Sequence, residues 1–77
     1  MTEDRPESPA KDKHYDLITV LQICLRGVWK LETYKKDARR EGDNELADFF
    51  QSLQDQEREA GAKAKRLLAD RLTMEEI

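Results

Sequence analysis

The sequence predicts an all-α protein: an antiparallel two-helix hairpin over residues 13–72, pairing with a second copy into a four-helix bundle as a homodimer. Three observations predict it. No proline and no turn cluster interrupts the chain from Tyr15 to Arg40. Glu41-Gly42-Asp43 then combines a helix stop with a helix start, and Asn44 to Leu72 carries a second apolar stripe at helical spacing. Finally, the apolar residues of the first helix cover more of its circumference than one neighbouring helix can bury.

Residues 1–12 hold both prolines, with serine, threonine and charges but almost nothing apolar. Such a segment cannot offset its ordering entropy and is expected to be a disordered tail. Helix 1 is expected from about Lys13 to Arg40. Gly27, its one glycine, is tolerable inside a long helix, and His14 at its start is expected to be exposed.

The turn, residues 41–43, follows from Gly42, which suits the left-handed residue that ends a helix, and Asp43, whose carboxylate can cap the next one. Lys35, Lys36, Arg39 and Arg40 crowd the carboxyl end of helix 1. Asp43, Glu45 and Asp48 crowd the amino end of helix 2, so each set complements its helix dipole. The basic group, like Lys63, Lys65 and Arg66, reads as a solvated face. Helix 2 is expected over 44–72, with 73–77 frayed.

On a wheel of ~100° per residue, twelve apolar side chains from Leu17 to Ala38 span roughly two thirds of helix 1. This excess predicts self-association through Leu17, Leu21, Leu25, Val28, Trp29, Phe50 and Leu53. Helix 2 is narrower, its stripe running from Leu46 and Ala47 through Phe49, Phe50, Leu53, Ala60 and Ala64 to Leu67, Leu68 and Leu72. Glu57 stands near the midline of that stripe. Folding at the turn brings it level with about Val28, with Cys24 and Glu32 within one helical turn. A buried carboxylate must be protonated, hydrogen-bonded, paired with a cation or bound to metal.

Composition narrows the function classes. Seventy-seven residues form at most one domain and bury too little surface to be comfortably stable alone, and the single cysteine excludes an internal disulfide. Oligomerisation is the expected source of stability, in a reducing, cytoplasmic setting. Charged residues make up 40% of the chain with a net charge of −3, both signs interspersed, which argues against a nucleic-acid or membrane partner and for a protein partner. One histidine, one cysteine and scattered hydroxyls assemble no nucleophile with a base, and no glycine-rich phosphate loop is present, so the chain is not expected to be an enzyme. No cofactor is expected.

The stretch Leu21–Leu68, with Tyr34, the Glu41-Gly42 turn, Glu45-Leu46-Ala47-Asp48-Phe49-Phe50 and Glu57-Arg58-Glu59, resembles the first helical hairpin of rubrerythrin and other ferritin-like proteins. In that family the first helix gives a glutamate ligand and the second a Glu-x-x-His motif to a di-iron site. Carried over, the second-helix glutamate falls on Glu57, the histidine on Ala60 and the first-helix glutamate on Cys24. The resemblance implies a ferritin-like hairpin with a degenerate di-iron site and a structural or interaction role. The alternative is a remodelled divalent-metal protein using Glu57 at the dimer centre, with Cys24 and Glu32 as further candidate ligands.

Overall fold

The computed structural model describes residues 12–74. It is all-helical: α1 spans Asp12–Arg40 and α2 spans Asn44–Met74, packed against each other as a hairpin. The tail expected over residues 1–11 and the last three residues lie outside the described residues. Asp12 is already helical, and Thr73 and Met74 continue α2 two residues past its expected end.

The turn is built by hydrogen bonds that serve both helices. The Asp43 N–H donates to the Ala38 carbonyl at 2.9 Å and the Gly42 N–H to the Arg39 carbonyl at 3.0 Å, the paired closure that satisfies the last carbonyls of a helix. Gly42 takes φ 79°, which costs a glycine no Cβ clash. Asp43 then caps α2: its Oδ1 accepts from the Leu46 N–H at 3.1 Å, and its carbonyl accepts the Ala47 N–H at 3.1 Å.

The seam between the helices follows a strict seven-residue repeat. On α1 the inward series is His14, Leu17, Leu21, Cys24, Val28, Leu31, Lys35 and Ala38, in alternating steps of three and four, and every member is buried or half-buried. On α2 it is Ala47, Phe50, Gln54, Glu57, Gly61, Ala64, Leu68 and Arg71, with the same steps and the same burial. Alternating three–four spacing is what keeps one narrow stripe facing a partner helix, as in a coiled-coil seam.

This seam corrects several expectations. Ala60 is exposed, and Gln54 and Gly61 take buried positions that the apolar wheel did not assign. Lys35 belongs to the seam rather than to a solvated basic face, and His14 is buried at 1% exposure because it holds the inward position one step before Leu17. Among the described residues the buried apolar side chains are only Cys24, Ala38, Ala47 and Ala64, so the larger aliphatic residues are at best half covered.

Large apolar side chains instead lie outside the seam, on two flanks of α1. Helical periodicity places Val20, Ile23 and Tyr34 on one flank and Ile18, Leu25 and Trp29 on the other. The first continues onto α2: the Tyr34 and Phe50 rings lie 5.8 Å apart, the Phe49 and Phe50 rings 6.0 Å, and Leu46 lines a shallow cavity with Tyr34 and Phe50. The second borders a polar strip of α2, Leu25 sharing a depression with Arg58, Ala62 and Lys65.

Candidate functional site

Two polar clusters interrupt the seam at its middle, where a hairpin of this kind would ordinarily place aliphatic residues. The first lies toward the turn. Gln54, 1% exposed, donates from Nε2 to the Val28 carbonyl at 2.9 Å and to Glu32 Oε1 at 3.1 Å. Its Oε1 accepts from Lys35 Nζ at 3.2 Å. The same ammonium donates to Gln51 Oε1 at 2.7 Å and meets Glu32 Oε1 at 3.1 Å. An ammonium has three donors, and here each has an acceptor, so the buried charge is compensated.

The layer sets the protonation of Glu32. The Gln54 amide, and after it the Lys35 ammonium, holds this carboxyl below its ordinary 4.5. Lys36 adds a longer contact of 4.0 Å to the other carboxylate oxygen. Glu32 therefore sits at the rim of this layer, its side chain 42% exposed, and its acceptors are engaged by Gln54 and Lys35 rather than gathered with Cys24 and Glu57.

The second cluster is Cys24 with Glu57, lying between two glycines. Glu57 packs so closely over Gly27 that a Cβ there would lie 3.3 Å from its Cδ and Oε1. A Cβ on Gly61 would meet the Cys24 Cβ at 3.4 Å and Leu21 Cδ1 at 3.8 Å. The glycines thus open room on both helices for the thiol and the carboxylate. Burial, then the negative charge of Glu57 and its hydrogen bond from the thiol, push the Cys24 pKa above its ordinary 9.0. Cys24 is a protonated donor at neutral pH and has none of the thiolate character that a nucleophile requires.

The ligand set implied by the resemblance does not assemble into a di-iron donor set. Glu57 supplies one carboxylate; Ala60 has no donor and faces outward on the flank of Leu53 and Leu67; and Cys24 offers sulfur where iron chemistry of this type uses oxygen. No group of three or more His, Cys, Asp or Glu residues that could hold a metal ion occurs among the described residues. Among the described residues no helix is long and apolar enough to cross a membrane.

The residues expected to mediate self-association divide between two locations. Leu17, Leu21, Val28 and Phe50 sit half-buried in the hairpin's own seam and Leu53 is half-buried beside it, whereas Leu25 and Trp29 are exposed on the second flank. Lys35 and Gln54, which organise the polar layer, escape an apolar wheel because they are polar. The three–four spacing through Leu31, Lys35 and Ala38, and through Phe50, Gln54 and Glu57, is the signal that locates them. Compared with protein-family models, with curated proteins and with solved structures, the chain finds no match.

Proposed function

We propose that this chain is a non-catalytic helical hairpin whose role is structural or interaction-based, and that it acts as a homodimer in which two hairpins form a four-helix bundle of ferritin-like type. The observation that carries this reading is the mismatch between core and surface. Among the described residues the apolar side chains that the hairpin buries are all small, while Val20, Ile23, Tyr34, Leu46 and Phe49 are exposed along one flank that runs across both helices. Ile23 alone is 58% exposed and Phe49 54%. At ~25 cal/mol per Å² of apolar surface, covering such side chains contributes on the order of 1–2 kcal/mol each. A second copy presenting the same flank about a two-fold axis covers them reciprocally.

Sedimentation velocity on the full chain tests it. The expected result is a species of about twice the 9.0 kDa chain mass across micromolar concentrations. Ile23→Glu with Phe49→Glu is expected to yield monomer of reduced helicity, and Trp29→Glu to leave the dimer intact. A stably folded wild-type monomer at high micromolar concentration would sink the proposal.

A second reading, a remodelled divalent-metal protein, is favoured by one observation: Cys24 and Glu57 line the same depression between the helices, and a two-fold axis near them would double the donor set. Metal content after anaerobic exposure to ferrous, manganous and zinc ions decides it. About one ion per two chains, lost in Glu57→Ala, would establish this reading. No retained ion in folded protein would remove it.

A further inference from the structure

The Glu57 side chain ends beside the proposed self-association flank, where its own helix gives it no cation. On α1, Val20, Ile23, Gly27, Lys30 and Tyr34 form a row in alternating steps of three and four, alongside the seam. Gly27 is the gap in that row: without a Cβ it leaves room for the carboxylate, whose Cδ and Oε1 would lie 3.3 Å from one. Glu57 also borders the depression beside Leu25 on the other flank, so its side chain crosses the seam to reach Gly27. The residues three and four positions from it are Leu53, Gln54, Ala60 and Gly61, none of them basic. Glu57 is half-buried, and a surface laid over the flank removes more water from its charge. Lys30 has the converse problem. It is exposed in an apolar row, and the residues three and four positions away are Arg26, Gly27, Thr33 and Tyr34, none of them acidic. Within one hairpin no ion pair joins Lys30 to Glu57 among the described residues.

We infer that the two-fold axis of the dimer crosses the hairpin at this level, and that Lys30 of each copy pairs with the Glu57 carboxylate of the other. The inference rests on the dimer reading above and adds its register. Both rows read alike in reverse. On α1, turning the row end to end about a point between residues 28 and 29 exchanges Ile23 with Tyr34 and Gly27 with Lys30. On α2, turning about a point between residues 56 and 57 exchanges Leu46 with Leu67 and Leu53 with Ala60. The Glu57–Gly27 and Tyr34–Phe50 contacts put these two points within about one residue of each other along the hairpin, ~1.5 Å. One axis therefore serves both helices, setting each antiparallel to its own copy and the two turns at opposite ends. Apolar side chains then cover apolar ones, and Lys30 lies over the gap at Gly27. Each charge supplies the partner that the other needs when both are covered. A copy shifted by one turn would cover the two charges apart, so the pair selects one register.

Mixing two charge-reversed full-length chains tests the pairing. Lys30→Glu and Glu57→Lys are each expected to weaken homodimerisation at least about tenfold in sedimentation velocity, because each sets like charges across the axis. Mixed in equal amounts, the two variants are expected to form a heterodimer of near wild-type affinity, since every contact across the axis then joins opposite charges. Rescue only when both changes share one chain, with no heterodimer from the mixture, would place the pair inside the hairpin and overturn the inference. Lys30→Met alters an exposed side chain and probes the same contact if Glu57→Lys does not fold. It is expected to weaken the dimer at least about tenfold by leaving Glu57 covered and unpaired, whereas a tighter dimer would mean an interface that is merely apolar and would overturn the inference. Spin labels at Glu41→Cys in a Cys24→Ala chain read the orientation. The expected separation is about 40 Å, the rise from the axis to each turn at ~1.5 Å per residue, and turns close together at one end overturn the register. A wild-type chain that stays monomeric removes the dimer reading and this inference with it. A wild-type dimer indifferent to all of these charge changes removes the inference alone.

Discussion

Gln54 reaches from α2 to the backbone of α1, its Nε2 lying 2.9 Å from the Val28 carbonyl oxygen. The bond links a side chain of one helix to a fixed point of the other, so sliding the helices by one turn would take Gln54 away from Val28 and Glu32 and leave Lys35 with Glu32, on its own helix, as its one acceptor of the three. Aliphatic seams tolerate such slips far better, because leucine packs against leucine in several registers. The polar layer thus fixes how the hairpin closes, at some cost in stability compared with an apolar layer.

Gln54→Ala removes two donated hydrogen bonds and one of the three acceptors around the Lys35 ammonium. It is expected to lower unfolding free energy by about 2 kcal/mol, combining a lost buried hydrogen-bond network with a small cavity. Urea denaturation followed by far-UV dichroism measures this. An unchanged midpoint would mean that water replaces the amide at no cost.

The two seam glycines should respond differently. Gly61→Ala meets Cys24 at near-ordinary contact distance and gains helix propensity, so it is expected to be neutral or to stabilise by up to about 1 kcal/mol. Gly61→Leu overfills the same space and is expected to cost about 1–3 kcal/mol. Gly27→Ala must move the Glu57 carboxylate, so its effect depends on that side chain. In a Glu57→Ala background it should stabilise by about 1 kcal/mol, and the difference between backgrounds reports the coupling.

Stability should fall at both ends of the pH range for separate reasons. The folded pKa of Glu32 is depressed, so its contribution is fully present above the unfolded value near 4.5 and is lost as pH falls through the folded value. Glu32→Gln is expected to flatten this acid limb. The folded pKa of Cys24 is raised above 9.0, so in more alkaline solution the unfolded thiol ionises while the folded one stays protonated, and stability declines. Cys24→Ala is expected to remove that decline. Thermal midpoints across pH for the two variants and the wild type separate the effects.

The shared turn residue should be sensitive out of proportion to its exposure. Asp43→Ala removes the carboxylate that accepts the Leu46 N–H and is expected to cost about 1 kcal/mol. Gly42→Ala forces a Cβ into a φ of 79° and is expected to cost a similar amount, about 1 kcal/mol, although nothing crowds the site. Equilibrium unfolding of the two single variants checks both values.

The sequence by itself determined the two helices and the turn, because those depend on local chemistry: the long stretch without proline, Gly42 at a left-handed position and Asp43 as a cap. It also brought Glu57 to the level of Val28 and Cys24, since a hairpin folded at a known turn fixes which residues are level. The tertiary structure alone decided which stripe faces inward. Helix 1 is apolar over so much of its surface that an apolar wheel cannot single out the narrow row through Cys24, Val28 and Lys35, and helix 2 places Gln54 and Gly61 where a wheel weighted by hydrophobicity points to Leu53 and Ala60. Only the packed hairpin shows Lys35 surrounded by three acceptors, and only that compensation makes its burial affordable. Hydrophobicity is a property of one residue; satisfaction of a buried charge is a property of several, drawn from both helices.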